Sequence, residues 1–191
     1  MLDDALPAAV KTWLGALVLT DKTALLSAFS GAARALGKAP LVIAGRGTWG
    51  SDELGRVALL VRAFPRLQPG ELWAHGDNRE RQAVLKALPL LPEPAQFAAL
   101  AIEACRANVL TVFEAIACDN PYPAEHFPEL AFNQLVLKAA FNDVALARIF
   151  GLDARRNAEL ARMATDFAAE RRAAGRPVPA DLDLAIKGAA P

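Results

Sequence analysis

Residues 113–127 read FEAIACDNPYPAEHF, and residues 131–142 read AFNQLVLKAAFN. An apolar run breaks at Cys-Asp-Asn-Pro-Tyr-Pro and then resumes carrying Asn133, Gln134 and Lys138. At a helical turn of about 100° per residue, Leu130, Phe132, Leu135, Val136, Leu137 and Phe141 fall on nearly every side of a helix from about Pro128 to Asn142, which predicts a rod buried all round. Its narrow polar stripe is Gln134, Lys138 and Asn142, with Asn133 projecting to one side. The first run, from about Val109 to Cys118, sets Val109, Leu110, Val112, Phe113 and Ile116 around one acid, Glu114. If two such helices pack antiparallel, a rise of about 1.5 Å per residue puts Glu114 level with Asn133 and Gln134, with Lys138 in reach. An unpaired buried carboxylate is costly, so Glu114 is expected to meet those amides or that ammonium.

Two uses of such a cluster are open. In one, Glu114, Asn133, Gln134 and Lys138 form a dry network that satisfies the DNPYP loop and locks the two helices. In the other, Asp119, Asn120 and Tyr122 join them around a cavity for a polar small molecule, where Glu114 or Lys138 could move a proton if its pKa were pushed toward neutrality.

Outward from this pair the chain stays helical. Leu6, Val10, Trp13, Leu14, Leu17 and Val18 recur at helical spacing, as do Leu25, Leu26, Phe29, Ala33 and Leu36, after which Gly37 stops the second segment. Lys38 to Gly50, KAPLVIAGRGTWG, is the one place where an extended segment is plausible, and the preferred reading is a surface loop. Ser51, followed by Asp52 and Glu53, starts a helix that Pro65 ends. Further helices are expected at about Arg79–Leu88, Pro94–Arg106 and Ala154–Ala174, the last capped by Gly175. The echoes VRAFP from Val61, LKALP from Leu85, and VLKA at Val84 and Val136 suggest stacked helix pairs. The expected fold is therefore all-α: a right-handed stack of antiparallel helix pairs, a short HEAT-like α-solenoid, forming a single domain over residues 1–177, with a weakly ordered tail at 178–191.

Composition limits the function. The 191 residues hold 21 basic and 21 acidic side chains, which removes the electrostatic footprint expected for nucleic acid or an anionic membrane. The longest apolar runs fall short of the ~20 residues a membrane span needs. The start, MLDDALPAAV, lacks the basic and apolar regions of a secretory signal, so a cytoplasmic protein is expected. Its two cysteines, Cys105 and Cys118, then read as reduced thiols. Cys118, Asp119, His126 and His75 match no zinc spacing, so no metal and no cofactor are expected. GRGTWG lacks the Lys-Ser/Thr ending of a phosphate loop and reads as a turn, and no Gly-x-Ser-x-Gly elbow is present. Arg155, Arg156 and Arg162, interleaved with Glu159 and Asp166, form either a solvated helix face or a docking surface for a partner protein.

Three segments in order, NVLTVFEAIACDNPYP (108–123), FNQLVLKAAF (132–141) and RIFGLDARRNAELARM (148–163), resemble the hallmark segments of the EboA-domain family. The resemblance covers roughly Asn78 to Arg176. It departs from the family pattern in Phe132 for Trp, Leu135 for Met and Phe167 for Tyr, all apolar exchanges that leave the polar positions in place. Membership implies a helical-repeat protein of bacterial metabolite traffic that helps move a secondary-metabolite precursor toward export, together with proteins of the same operon. It supplies no catalytic residue. The expected function is thus a non-catalytic binding or adaptor protein, and the alternative is a small proton-transfer or isomerase-type enzyme built on Glu114 and Lys138.

Overall fold

The computed structural model describes residues 6–18 and 20–187. The first five residues, Leu19 and residues 188–191 lie outside it, and with them the end of the expected tail. Helix accounts for 66% of the structure, so the helical expectation holds, and a two-stranded sheet adds to it. The chain divides into two compact units, Met1–Ala101 and Ile102–Pro191.

In the first unit, α1 (Ala8–Gly15) and α2 (Lys22–Leu36) are followed by strands β1 (Pro40–Ile43) and β2 (Gly47–Gly50), then α3 (Ser51–Ala63), α4 (Pro69–His75) and α5 (Asn78–Ala87). Each start has a local cause. Asp21 accepts hydrogen bonds from the amides of Thr23 and Ala24 to open α2, and Asp77 and Glu80 each accept the other's backbone N–H to open α5. The expected loop at Lys38–Gly50 is instead a hairpin, with Leu41 opposite Trp49 and Val42 opposite Thr48. Its turn is closed by the Arg46 N–H donating to the Ile43 carbonyl, and Gly45 and Gly47 take the positive φ that the tight loop needs. Helix α4 was not anticipated, because Gln68–His75 carries too few apolar residues to show a period; Pro69 at its first position sets it going.

Helix α3 packs against both α2 and α5, and all ten residues from Ser51 to Leu60 are buried. Gly55, a helix-weakening residue at mid-helix, lets α1 and α2 come close. A Cβ there would run into Leu36 Cδ1 and lie 3.3 Å from the Trp13 ring.

Helix α6 (Ala98–Ala104) carries the chain into the second unit, which holds α7 (Leu110–Ala117), α8 (Tyr122–His126), α9 (Glu129–Phe141), α10 (Leu152–Arg155), α11 (Ala158–Ala173) and α12 (Asp183–Ile186). Helix α9 packs against α7 and α11, and α12 against α10 and α11. The single helix expected over Ala154–Ala174 is two. Asn157 breaks it by leaving the helical conformation and accepting a hydrogen bond from the Leu160 N–H, so that it caps α11. Nor is α9 buried all round: Leu130 is 59% and Phe141 62% exposed, because the helix has close neighbours on only part of its circumference. The stretch expected as a loose tail contains α12, and Asp181 just before it accepts from the Leu146 N–H at 2.6 Å. Among the described residues no helix is long and apolar enough to cross a membrane.

Candidate functional site

The polar residues singled out on α7, α9 and the loop between them are all in the second unit, but they do not form one cluster. Glu114 is partly exposed, and its partner is Arg148, 3.6 Å away, rather than Asn133 or Lys138. The rise along the helices set the level of Glu114 without fixing its bearing around α7, and it points toward the segment after α9. Arg148 also binds Asp119, through Nε at 3.1 Å and Nη2 at 3.0 Å, while its carbonyl accepts the Asp119 N–H at 2.8 Å. Burial, the largest single influence, works against the Arg148 charge, but the Asp119 hydrogen bond and the attraction of Cys118, Asp119 and Glu114 together outweigh it and raise its pKa.

Asn120 serves the backbone. Its amide donates to the Ala115 carbonyl at 2.9 Å and its oxygen accepts from the Tyr122 N–H at 3.0 Å, which joins the end of α7 to the start of α8. Tyr122 is fully buried, its ring 4.7 Å from that of His126, and burial pushes its phenol up to about 12. Asn133 is also fully buried and pairs amide to amide with Asn157, at 3.2 Å and 3.0 Å. Asn157 thus caps one helix while holding another, and the only trace of this in the sequence is an Asn ahead of a helical run.

Lys138 is the residue whose surroundings resemble a site. Its ammonium donates to the Cys105 carbonyl at 2.6 Å and the Ala107 carbonyl at 2.8 Å, closing the end of α6, and lies 5.1 Å from the centre of the Phe113 ring. Two cavities share it. One, of about 480 Å³, is walled by Leu110, Phe113, Leu137, Phe141 and Phe167, with Asn108 and Asn142 as further polar groups. The other, of about 230 Å³, has Cys105, Arg106, Phe127, Gln134 and Leu135 in its wall. Gln134, Lys138 and Asn142, the stripe expected from the helical period, are therefore all cavity-facing. Arg106, Asn108, Phe141 and Phe167 were not anticipated, since cavity walls draw on distant segments and have no period of their own. The larger volume lies in the range that suits a small-molecule ligand.

The arginines divide. Arg155 donates to the carbonyls of Ala124 and Phe127 and lies 4.7 Å over the Phe132 ring, so it fastens the end of α8. Arg156 pairs with Asp153 at 3.2 Å and is largely covered. Only Arg162 stands out in solvent, bonded to Glu159 and Asp166 on its own helix.

A second set of charges lies in the first unit and was read from sequence only as a helix start. Asp52, fully buried, accepts from Arg56 at 2.6 Å and from Arg79, and Glu53 pairs with Lys86 at 3.0 Å. Burial, the largest single influence, raises the Asp52 pKa, but the hydrogen bonds and charges of Arg79 and Arg56 together outweigh it and hold the carboxyl below its usual range.

The family described as metabolite traffic protein EboA matches residues 45–187. That stretch spans most of the chain and includes both sets of charges and the two cavities, so the chain belongs to this family. No curated protein and no solved structure matches it.

Proposed function

We propose that this EboA-family chain is a non-catalytic binding and adaptor protein that receives a secondary-metabolite precursor at the Lys138 cavities and passes it on toward export. The observation that carries the reading is that the polar stripe Gln134–Lys138–Asn142 lines two mostly apolar cavities rather than a sealed core. The family description, a role in metabolite traffic, supports the same reading. Within each unit the helix pairs serve as a HEAT-like scaffold, and the exposed Arg162 face of α11 meets a protein of the same operon. Burial pushes the Cys105 thiol up to about 12 and the Cys118 thiol to about 11, so neither is a reactive thiolate at neutral pH, and the setting proposed for the protein is the cytoplasm. The proton-transfer alternative has less support, because Glu114 and Lys138 answer to different partners.

The test is a thermal melt of the purified protein with extracts and products of its host operon, beside a pull-down analysed for proteins and small molecules. A bound compound that raises Tm in proportion to its concentration is expected. The rise should vanish in Leu137→Trp, which fills the larger cavity. A host compound that stabilises this variant as well as the native chain would move the site elsewhere, and no stabilisation by any host compound would end the reading.

A further inference from the structure

Lys138 carries its charge in an unusual setting. Two of its three N–H donors are held by carbonyl oxygens, which are neutral, and the face of Phe113 supplies only a weak counter-field. Among the described residues no carboxylate lies within ion-pair distance of it. The neighbouring Cys105 thiol does not supply the missing charge either, since burial raises its pKa more than Lys138 lowers it and the thiol stays neutral at physiological pH.

Neither cavity wall contains an Asp or Glu. The smaller one adds a second cation, Arg106, which has no ion pair among the described residues, and a further amide donor in Gln134. In the larger one Phe141 and Phe167 present ring surface above a floor that includes the fully buried Phe113, and aromatic walls favour aromatic guests. A half-buried cation with no anionic partner, at the edge of an aromatic wall, can still take an acid as a charge-assisted partner.

We infer that the site takes an aromatic organic acid, its ring system seated between Phe141 and Phe167 and its anionic oxygen on the Lys138 ammonium. This rests on the binding reading above and adds to it the charge and class of the ligand. An amine of the same shape would set cation against cation. An alcohol would keep the apolar contacts and forgo the ion pair.

Three probes with one body and different heads test it: 2-naphthylacetic acid, 2-(2-naphthyl)ethanol and 2-(2-naphthyl)ethylamine, titrated calorimetrically into the native chain. The acid is expected to bind about tenfold more tightly than the alcohol, as a hydrogen bond to a charged group implies, and the amine not to bind. Lys138→Met should bring the acid down to the level of the alcohol and leave the alcohol unchanged. Because that variant also removes a cap from α6, the ranking of the three heads on the native chain decides the matter if it fails to fold. Equal binding of all three, or the amine ahead of the acid, overturns the inference. So does failure of the acid to bind, even where a host compound still stabilises the protein, an outcome that leaves the binding reading intact. An acid that binds Leu137→Trp as well as the native chain overturns it too.

Discussion

Helices α3 and α9 both carry charge into apolar surroundings, and they treat it in opposite ways. Around α3 each buried charge has an opposite: Asp52 has Arg56 and Arg79, Glu53 has Lys86, and Arg56 also donates to the Phe29 carbonyl at 2.9 Å. Around α9 the cation Lys138 has carbonyls, an aromatic face and two cavities. The first arrangement is closed. At its centre there is no room to spare: a Cβ at Gly50 would lie 2.6 Å from Asp52 Oδ1 and 2.8 Å from Arg79 Nη2. The second has space and an unmatched charge. Burial of a polar group is therefore a poor guide to function by itself, and the state of its pairing is a better one.

The contrast is broken most directly at Asp52. Asp52→Ala leaves the buried Arg56 guanidinium without its partner and beside the partly exposed Arg79, and loss of one partner from a buried pair costs about 3–5 kcal/mol. The expected outcome is a large fall in the urea midpoint, or no folded protein. A fall of less than about 1 kcal/mol would mean that the cluster is wetter than its burial suggests. The same carboxyl predicts a pH dependence. Its folded pKa lies below the ordinary 3.8, so its stabilising effect is complete above that value and drains away as pH falls toward the folded pKa. Denaturation curves between pH 7 and pH 2 should show this loss in the native chain, and Asp52→Asn should flatten that part of the profile.

A smaller effect is expected at the other closed pair, Asn133 and Asn157. Asn133→Ala removes a fully buried side chain and both of its hydrogen bonds to Asn157, which keeps its bonds to the Arg155 carbonyl and the Leu160 N–H, at a cost of about 1–3 kcal/mol. Because Asn157 also caps α11, Asn157→Ala should cost more than Asn133→Ala. The double variant should cost less than the sum of the two, by about 0.5 kcal/mol or more in a mutant cycle. Strict additivity would show that the amide pair contributes nothing beyond the cap.

The sequence made some of this legible and left the rest out of sight for identifiable reasons. Periodicity and stop residues placed α2, α3, α5, α7 and α9, because apolar spacing, Asp21, Pro65 and Pro128 act within a few residues of where they stand. The same local reasoning picked out the stripe Gln134, Lys138 and Asn142. It misplaced Glu114, since a helical period says which residues share a face but not which neighbour that face meets. Asp52 and Glu53 read only as a helix start, and nothing singled out Arg56, because their burial comes from α2 and α5, whose residues Phe29, Arg79 and Lys86 bond to them across 27 to 33 positions of chain. The hairpin was hidden by its length: four residues a strand, with exposed Val42, give too little alternation to read.

The smallest structural effect is expected at Arg162, and there the comparison becomes sharpest. Its bonds to Glu159 and Asp166 lie wholly on the exposed face of α11, where water and salt screen them. Arg162→Ala should leave the urea midpoint where it was. A charge that neither holds the fold nor faces a cavity is available to a second protein, so the informative measurement is capture of an operon partner on immobilised protein, with Arg162→Glu beside Arg162→Ala. Loss of capture in both, greater for the charge reversal than for the truncation and more so at low salt than at high, would mark α11 as the docking face through its charge. Capture that ignores both substitutions would leave this arginine a solvated side chain, and the search for the partner's seat would pass to other exposed groups of the same unit, Phe150 and Leu130 first among them.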